Sequence, residues 1–176
     1  MSSRKRVRAL RLLTPLVLLF ALTPTASATS DSTNVLAAGA QVSPKASGGG
    51  CSADKVKTTV NTAVKHAACI SADSNNNIGS DFYVHMKSNN PSKWNKLNVY
   101  WNVYRNGVLL YANGPFNCLS VARGAPANTY RTCHAGVNAG QAAAGSNYRT
   151  FVRWTATWGS VNFESDSSAV SPYLYG

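Results

Sequence analysis

The stretch from Leu97 to Ala112 constrains the fold more than any other part of the chain. Leu97, Val99, Trp101 and Val103 recur with a period of two, so an extended strand puts all four on one face. Asn106-Gly107 then supplies the two positive-φ residues of a type I′ turn. Val108-Leu109-Leu110-Tyr111-Ala112 returns as the second strand of a hairpin. A two-residue turn predicts Arg105 opposite Val108, Val103 opposite Leu110 and Trp101 opposite Ala112. Tyr100, Asn102, Tyr104, Leu109 and Tyr111 are then expected on the other face.

Further strands follow from the same alternation. Tyr148 to Trp158 sets Tyr148, Thr150, Val152, Trp154, Ala156 and Trp158 against Arg149, Phe151, Arg153, Thr155 and Thr157. Gly159-Ser160 turns the chain and Val161 to Ser165 returns. Asp81 to Lys87 is another strand, with Phe82, Val84 and Met86 facing one way. Thr129 to Cys133 is a shorter one. Val56 to Ile70 fits either a helical or a strand face, and its β-branched residues favour the strand. Short strands separated by turn signals predict an all-β sandwich or barrel. At 176 residues the chain is too short for a TIM barrel or a two-domain dehydrogenase.

The N-terminus reads as an export signal. Arg4, Lys5, Arg6, Arg8 and Arg11 precede a short apolar run from Leu12 to Leu22, and Ala26-Ser27-Ala28 is a signal-peptidase pattern. The run is too short to span a bilayer, and Pro15 interrupts it. The organisation expected is a signal peptide over 1–28, a flexible Ser/Thr/Ala/Gly-rich leader over 29–50, and a domain over 51–176. No membrane span is expected after cleavage. The full chain carries 17 Lys+Arg and 6 Asp+Glu, a net charge of +11. Five basic residues and no acidic one leave with the signal, so the secreted chain is basic by about six charges. That favours anionic surfaces such as cell-wall polymers without demanding nucleic acid.

Tyr148-Arg-Thr-Phe-Val-Arg-Trp-Thr-Ala-Thr-Trp-Gly-Ser-Val-Asn-Phe-Glu-Ser resembles the penultimate strand and turn of fibronectin type III and related immunoglobulin-like sandwiches. The hairpin with Trp101 and Tyr104 is similar to their central strand pair. The resemblance covers about half of the domain, and four cysteines and a longer front end depart from it. It implies an immunoglobulin-like antiparallel β-sandwich and leaves function open.

Four cysteines in an exported chain imply two disulfides with three connectivities. A hairpin turning at Gly124-Ala125-Pro126 brings Cys118 opposite Cys133, which leaves Cys51 with Cys69. No C-x-x-C or paired histidine spacing supports a metal, and no cofactor is expected.

Few residues offer catalysis. Asp73-Ser-Asn75-Asn-Asn77 begins like a calcium loop, but Ile78 and Val84 stand where that loop needs Gly and Glu. A polar turn explains it more simply. His85 as base, Glu164 as acid and Arg149 or Arg153 as phosphate cation could serve a ribonuclease. The segment Arg123-Gly124-Ala125-Pro126 could serve as an inhibitor loop. Neither has a supporting motif, and no catalytic residue is assigned.

A binding face is the stronger expectation. Tyr100, Asn102, Tyr104 and Tyr111 are expected to share the outward side of the hairpin. Trp94 is expected in a loop between Lys93 and Lys96, and Arg149 with Arg153 on one strand face. Flat aromatics with amide neighbours stack on sugar rings or form protein interfaces. The expected function is therefore a secreted, non-enzymatic binding protein, with a polysaccharide, cell-wall polymer or secreted protein as partner. Export is checked by sequencing the N-terminus of protein recovered from culture supernatant, which should begin at Thr29. Recovery only from membranes with Met1 still attached would overturn the reading.

Overall fold

The computed structural model describes residues 45–176. The signal segment and most of the expected leader lie outside the described residues. The elements in chain order are β1 (Ser47–Gly48), β2 (Gly50–Cys51), β3 (Lys55–Thr58), β4 (Thr62–Ala72), β5 (Asn77–Ser88), β6 (Trp94–Arg105) and β7 (Val108–Asn117). A short helix α1 (Leu119–Arg123) leads to β8 (Arg131–Gln141), β9 (Asn147–Trp158), β10 (Val161–Glu164), β11 (Ala169–Val170) and β12 (Leu174–Tyr175).

Two antiparallel sheets result. The first runs β1-β12-β9-β6-β7, with β10 and β11 also bonded along β9. The second runs β2-β4-β5-β8, with β3 on β4. The inward positions of both sheets meet in one core containing Val64, Phe82, Val84 and Met86 from the second sheet and Leu97, Val99, Trp101, Val152 and Trp154 from the first. The rings of Phe82 and Trp101 lie 4.8 Å apart across it. This is a disulfide-stabilised antiparallel β-sandwich, and the alternation in β6 and β9 is what fills it. Removing each such side chain from water contributes roughly 1.5–3 kcal/mol.

The start of the ordered strands differs from expectation. Ser47 pairs with Tyr175 and Gly50 with Ile70, so the end of the glycine-rich stretch is already part of both sheets. Val56 to Ile70 is strand, as expected, but in two pieces. The Thr59 hydroxyl accepts the backbone N–H groups of Asn61 and Thr62 at 3.3 and 3.1 Å and bends the chain there. The strand expected at Thr129 begins at Arg131 and runs on to Gln141.

The hairpin keeps its turn and loses its register. Asn106 and Gly107 have φ of 49° and 79°, and Arg105 faces Val108. Leu110 is an extra residue beyond that pair, so Val103 faces Tyr111 and Trp101 faces Asn113. A β-bulge of this kind turns the side chains that follow it to the other face, as far as the next irregularity. A second irregularity follows between Val99 and Trp101. Gly114 allows it, since a Cβ there would lie 2.8 Å from the Val99 carbonyl oxygen.

Both disulfides pair as expected, by different geometry. Cys51 faces Cys69 across β2 and β4 with Cα atoms 4.0 Å apart. Cys118 and Cys133 do not flank a hairpin. Cys118 follows β7 in the first sheet, α1 intervenes, and Cys133 lies in β8 of the second, so this bond ties the two sheets together at a Cα separation of 5.8 Å. Each loop of 15–18 residues removes on the order of 3 kcal/mol of unfolded-state entropy.

Polar groups also cross the core. The Ser80 and Thr150 hydroxyls meet at 2.7 Å. His66, buried on β4, receives the Trp154 indole N–H at Nδ1 (3.2 Å) and directs Nε2 at the Ser167 carbonyl (3.1 Å). A neutral ring protonated at Nε2 meets these two contacts, while the Lys55 carbonyl, 3.1 Å from Nδ1, favours a proton there instead. The indoles of Trp94 and Trp101 have no such partner.

Two predictions follow from these features. A Cβ at Gly107 meets no atom within 4 Å, so the cost of a side chain there is purely conformational. Gly107→Val should destabilise the domain by on the order of 1–2 kcal/mol in urea unfolding. An unchanged midpoint would show that the turn does not need positive φ. Burial lowers the pKa of His66 below its ordinary value of 6.5, against the raising effect of the Ser167 and Lys55 carbonyls. The unfolded chain therefore binds the proton first. Stability should be full above about pH 6.5 and fall as the pH drops below that value. His66→Gln should start less stable and show a flatter dependence of melting temperature between neutral and mildly acid pH. An equally steep dependence in the variant would assign the effect to other groups.

Candidate functional site

The pairing of β6 with β9 builds the outer face of the first sheet. Tyr100 faces Arg153, Asn102 faces Phe151, and Tyr104 faces Arg149. Because Val99, Trp101 and Val103 point into the core, these residues point away from it. The Arg153 guanidinium lies over the Tyr100 ring at 5.4 Å. Tyr104 meets Phe151 edge to face at 4.9 Å. Arg149 lies over Tyr173 at 4.3 Å and near Phe151 at 5.9 Å, and its Nε donates to the Ser171 carbonyl at 3.0 Å. Cation–ring contact of this kind holds long side chains flat against the sheet.

The Tyr104–Phe151 pair forms a ridge between two shallow hollows. One, of about 280 Å³, is lined by Tyr100, Asn102, Arg153 and Ser168 beside the ridge. The other, of about 310 Å³, adds Gly107, Asn147, Arg149 and Tyr173. Both are open to solvent and mix ring faces with amide and guanidinium donors.

Tyr100, Asn102, Tyr104, Arg149 and Arg153 therefore come together. Trp94 and Tyr111 do not join them. Trp94 is no loop residue: it opens β6, pairs with Trp158, is fully buried and packs on Phe163 at 5.9 Å. A single helical turn over Pro91–Lys93 precedes it and carries the chain into the sheet. Tyr111 is turned inward by the bulge and packs against a second core cluster of Ile70, Ile78, Val103, Tyr148 and Leu174. Two residues of the face were missed. Phe151 shares the parity of Arg149 and Arg153, so alternation alone placed it there. Tyr173 follows Pro172 in a tail without periodicity, and only the tertiary contact with Arg149 reveals it.

The residues considered for catalysis stay apart. His85 lies on the outer side of β5 in the second sheet, where Nδ1 meets the Thr132 hydroxyl at 2.8 Å. Glu164 lies on β10 in the first sheet, opposite Thr155. Arg123 ends α1 with its Nε donating to the Trp94 carbonyl at 2.7 Å, and Ala125 is buried, so that segment is held against the body. Asp73 accepts the backbone N–H groups of Asn75 and Asn77 and the Asn77 side-chain amide, all within 2.9 Å. These bonds lower its pKa and close the polar turn on itself. No helix of the described residues is long and apolar enough to cross a membrane.

No family model matches the chain, and no curated protein sequence matches it. Among solved structures it is similar to chicken MD-1, whose crystal structure contains lipid IVa. The identity is 11%, the alignment covers 71% of this chain and 98% of that one, and the TM-score is 0.34. A likeness at that level carries nothing over about ligand or partner.

Proposed function

We propose that the chain is a secreted, non-enzymatic binding module of immunoglobulin-like type, and that the outer face of its first sheet receives a polysaccharide. The observation that supports this is the ridge of Tyr104 and Phe151 with a hollow on each side. Successive hollows suit a repeating polymer, each sugar ring lying against the Tyr104–Phe151 ridge while its hydroxyls meet Asn102, Asn147 or a guanidinium. The arginines already lie over rings, so little side-chain freedom is lost on binding. Export, signal cleavage before Thr29 and an extracellular site of action belong to the same reading, supported by two disulfides in so short a chain. A secreted protein partner is the second reading. Val108, Leu109 and Leu110, exposed by 71, 50 and 43% at the hairpin tip, favour it.

Co-sedimentation with insoluble cell-wall polysaccharide separates these readings. Tyr104→Ala should weaken retention by more than about 1 kcal/mol while leaving the melting temperature intact. Trp101→Ala should cost about 3–5 kcal/mol of stability, because it removes a buried core aromatic. Unaltered retention by a folded Tyr104→Ala protein would remove the polysaccharide reading. Loss of retention in Leu109→Ser instead would move the site to the hairpin tip.

A further inference from the structure

The outer face of the second sheet has a different chemistry. Antiparallel pairing aligns Lys65, His85 and Thr132 in one row across β4, β5 and β8. The neighbouring row is Ala67, Tyr83 and His134, and Lys87 stands opposite Ala63 on the other side. Tyr130, just before β8, brings the two lysines together. The Lys65 ammonium lies 5.0 Å from its ring centroid and the Lys87 ammonium 4.9 Å. Arg131, the next residue in the chain, stands opposite the buried Met86 and so belongs to the other side of the sheet. Among the described residues neither lysine is in an ion pair; the pairs found are Lys57 with Asp166 and His134 with Asp81. Asp81 is two rows away from Lys65, with its carboxylate 3.8 Å from His134 Nε2. Two ammonium groups are thus gathered on one ring, beside an imidazole, with no carboxylate between them. Like charges held together repel, and a bound anion relieves that repulsion.

The aromatics of this face argue against nucleobases. A base needs a free ring to stack on. Tyr83 is already covered by His134, whose ring lies parallel at 4.4 Å, and Tyr130 is occupied by the two lysines. What remains available is charge and N–H donors, which recognise phosphate groups along a chain and not what hangs from them.

We infer that Lys65, Lys87, Tyr130 and His85 form a second binding site, for the phosphate groups of a base-free phosphate-linked polymer. It is separate from the first-sheet face and does not depend on the polysaccharide reading.

The test uses the secreted chain with long-chain inorganic polyphosphate as probe, followed by tryptophan fluorescence or calorimetry at low salt. Saturable binding that weakens as salt rises is expected. Lys65→Gln combined with Lys87→Gln should weaken it by roughly tenfold or more, since two phosphate contacts are lost. The charge-matched control, Lys93→Gln with Lys96→Gln, should stay within about twofold of the parent by the same measure. Tyr104→Ala should leave polyphosphate binding unchanged, which keeps this site distinguishable from the first-sheet face. Three results would overturn the inference. One is an equal loss in both double-lysine variants, which would mean net charge alone. Another is equal affinity for poly-glutamate, which would mean no phosphate recognition. The third is tighter binding of single-stranded RNA than of polyphosphate at matched phosphate, which would mean that bases are read.

Discussion

One register ties the inside of this domain to its outside. β6 and β9 pair without a slip from Lys96 to Arg105, so Trp101 faces Val152 within the core while Tyr100 faces Arg153 and Tyr104 faces Arg149 outside it. A shift of β9 by one residue would turn Trp154 into water and bury two arginines. The core therefore enforces the arrangement of the surface ridge. Any substitution that loosens Val99, Trp101 or Val152 should also blur the positions of Tyr104 and Phe151, even without touching them.

Around that pair, the fold compensates for strands too short to stand alone. Three short strands, β10, β11 and β12, follow one another along the free edge of β9. β2 and β3 do the same along β4. Each brings only a few ladder bonds, and each edge is thereby covered. The Cys51–Cys69 bond clamps β2 at this edge, and the Cys118–Cys133 bond joins the sheets where the chain crosses between them. His66 works to the same end from within. Its ring links β4 to Trp154 of β9 and to the Ser167 carbonyl just before β11, so one side chain holds three segments of two sheets. Its two nitrogens face two carbonyls and an indole N–H, and burial, not these neighbours, favours the neutral ring.

The period-two signal was the most legible part of the chain. It placed Phe82, Val84 and Met86, Leu97 to Val103, and Tyr148 to Ala156 on the inner faces, where burial now finds them. Such a signal reports the face of each residue as long as the ladder is uninterrupted. It cannot report an inserted residue, and Leu110 is one: the bulge reversed Tyr111 and emptied that corner of the expected binding face. Trp94 failed for another reason. Flanked by Lys93 and polar Asn95, it reads locally as a loop residue, and its burial comes from Phe163 and Trp158, more than sixty residues away in the chain. The same holds for Tyr173. Long-range contacts of single side chains leave no local trace. The cysteine pairing was legible because only three connectivities existed, whereas the sheet-to-sheet path of Cys118–Cys133 was not, because α1 is too short to show a helical period.

The two outer faces differ in how their cations are held, and that difference follows from the strands beneath them. On the first sheet Arg149 and Arg153 stand opposite tyrosines across β6 and β9, so each guanidinium spreads over a ring and its charge is shared with a π face. A planar, weakly hydrated group in that position contributes shape and directed N–H donors more than field. On the second sheet Lys65 and Lys87 come from adjacent strands and lie over the ring of a single tyrosine from a third segment. Ammonium groups are compact and strongly hydrated, and two of them at one ring add their fields. The inner faces are filled by core side chains, so the chemistry of each outer face is set by its own cations. In the roles proposed for them, the first suits a neutral ligand and the second an anion.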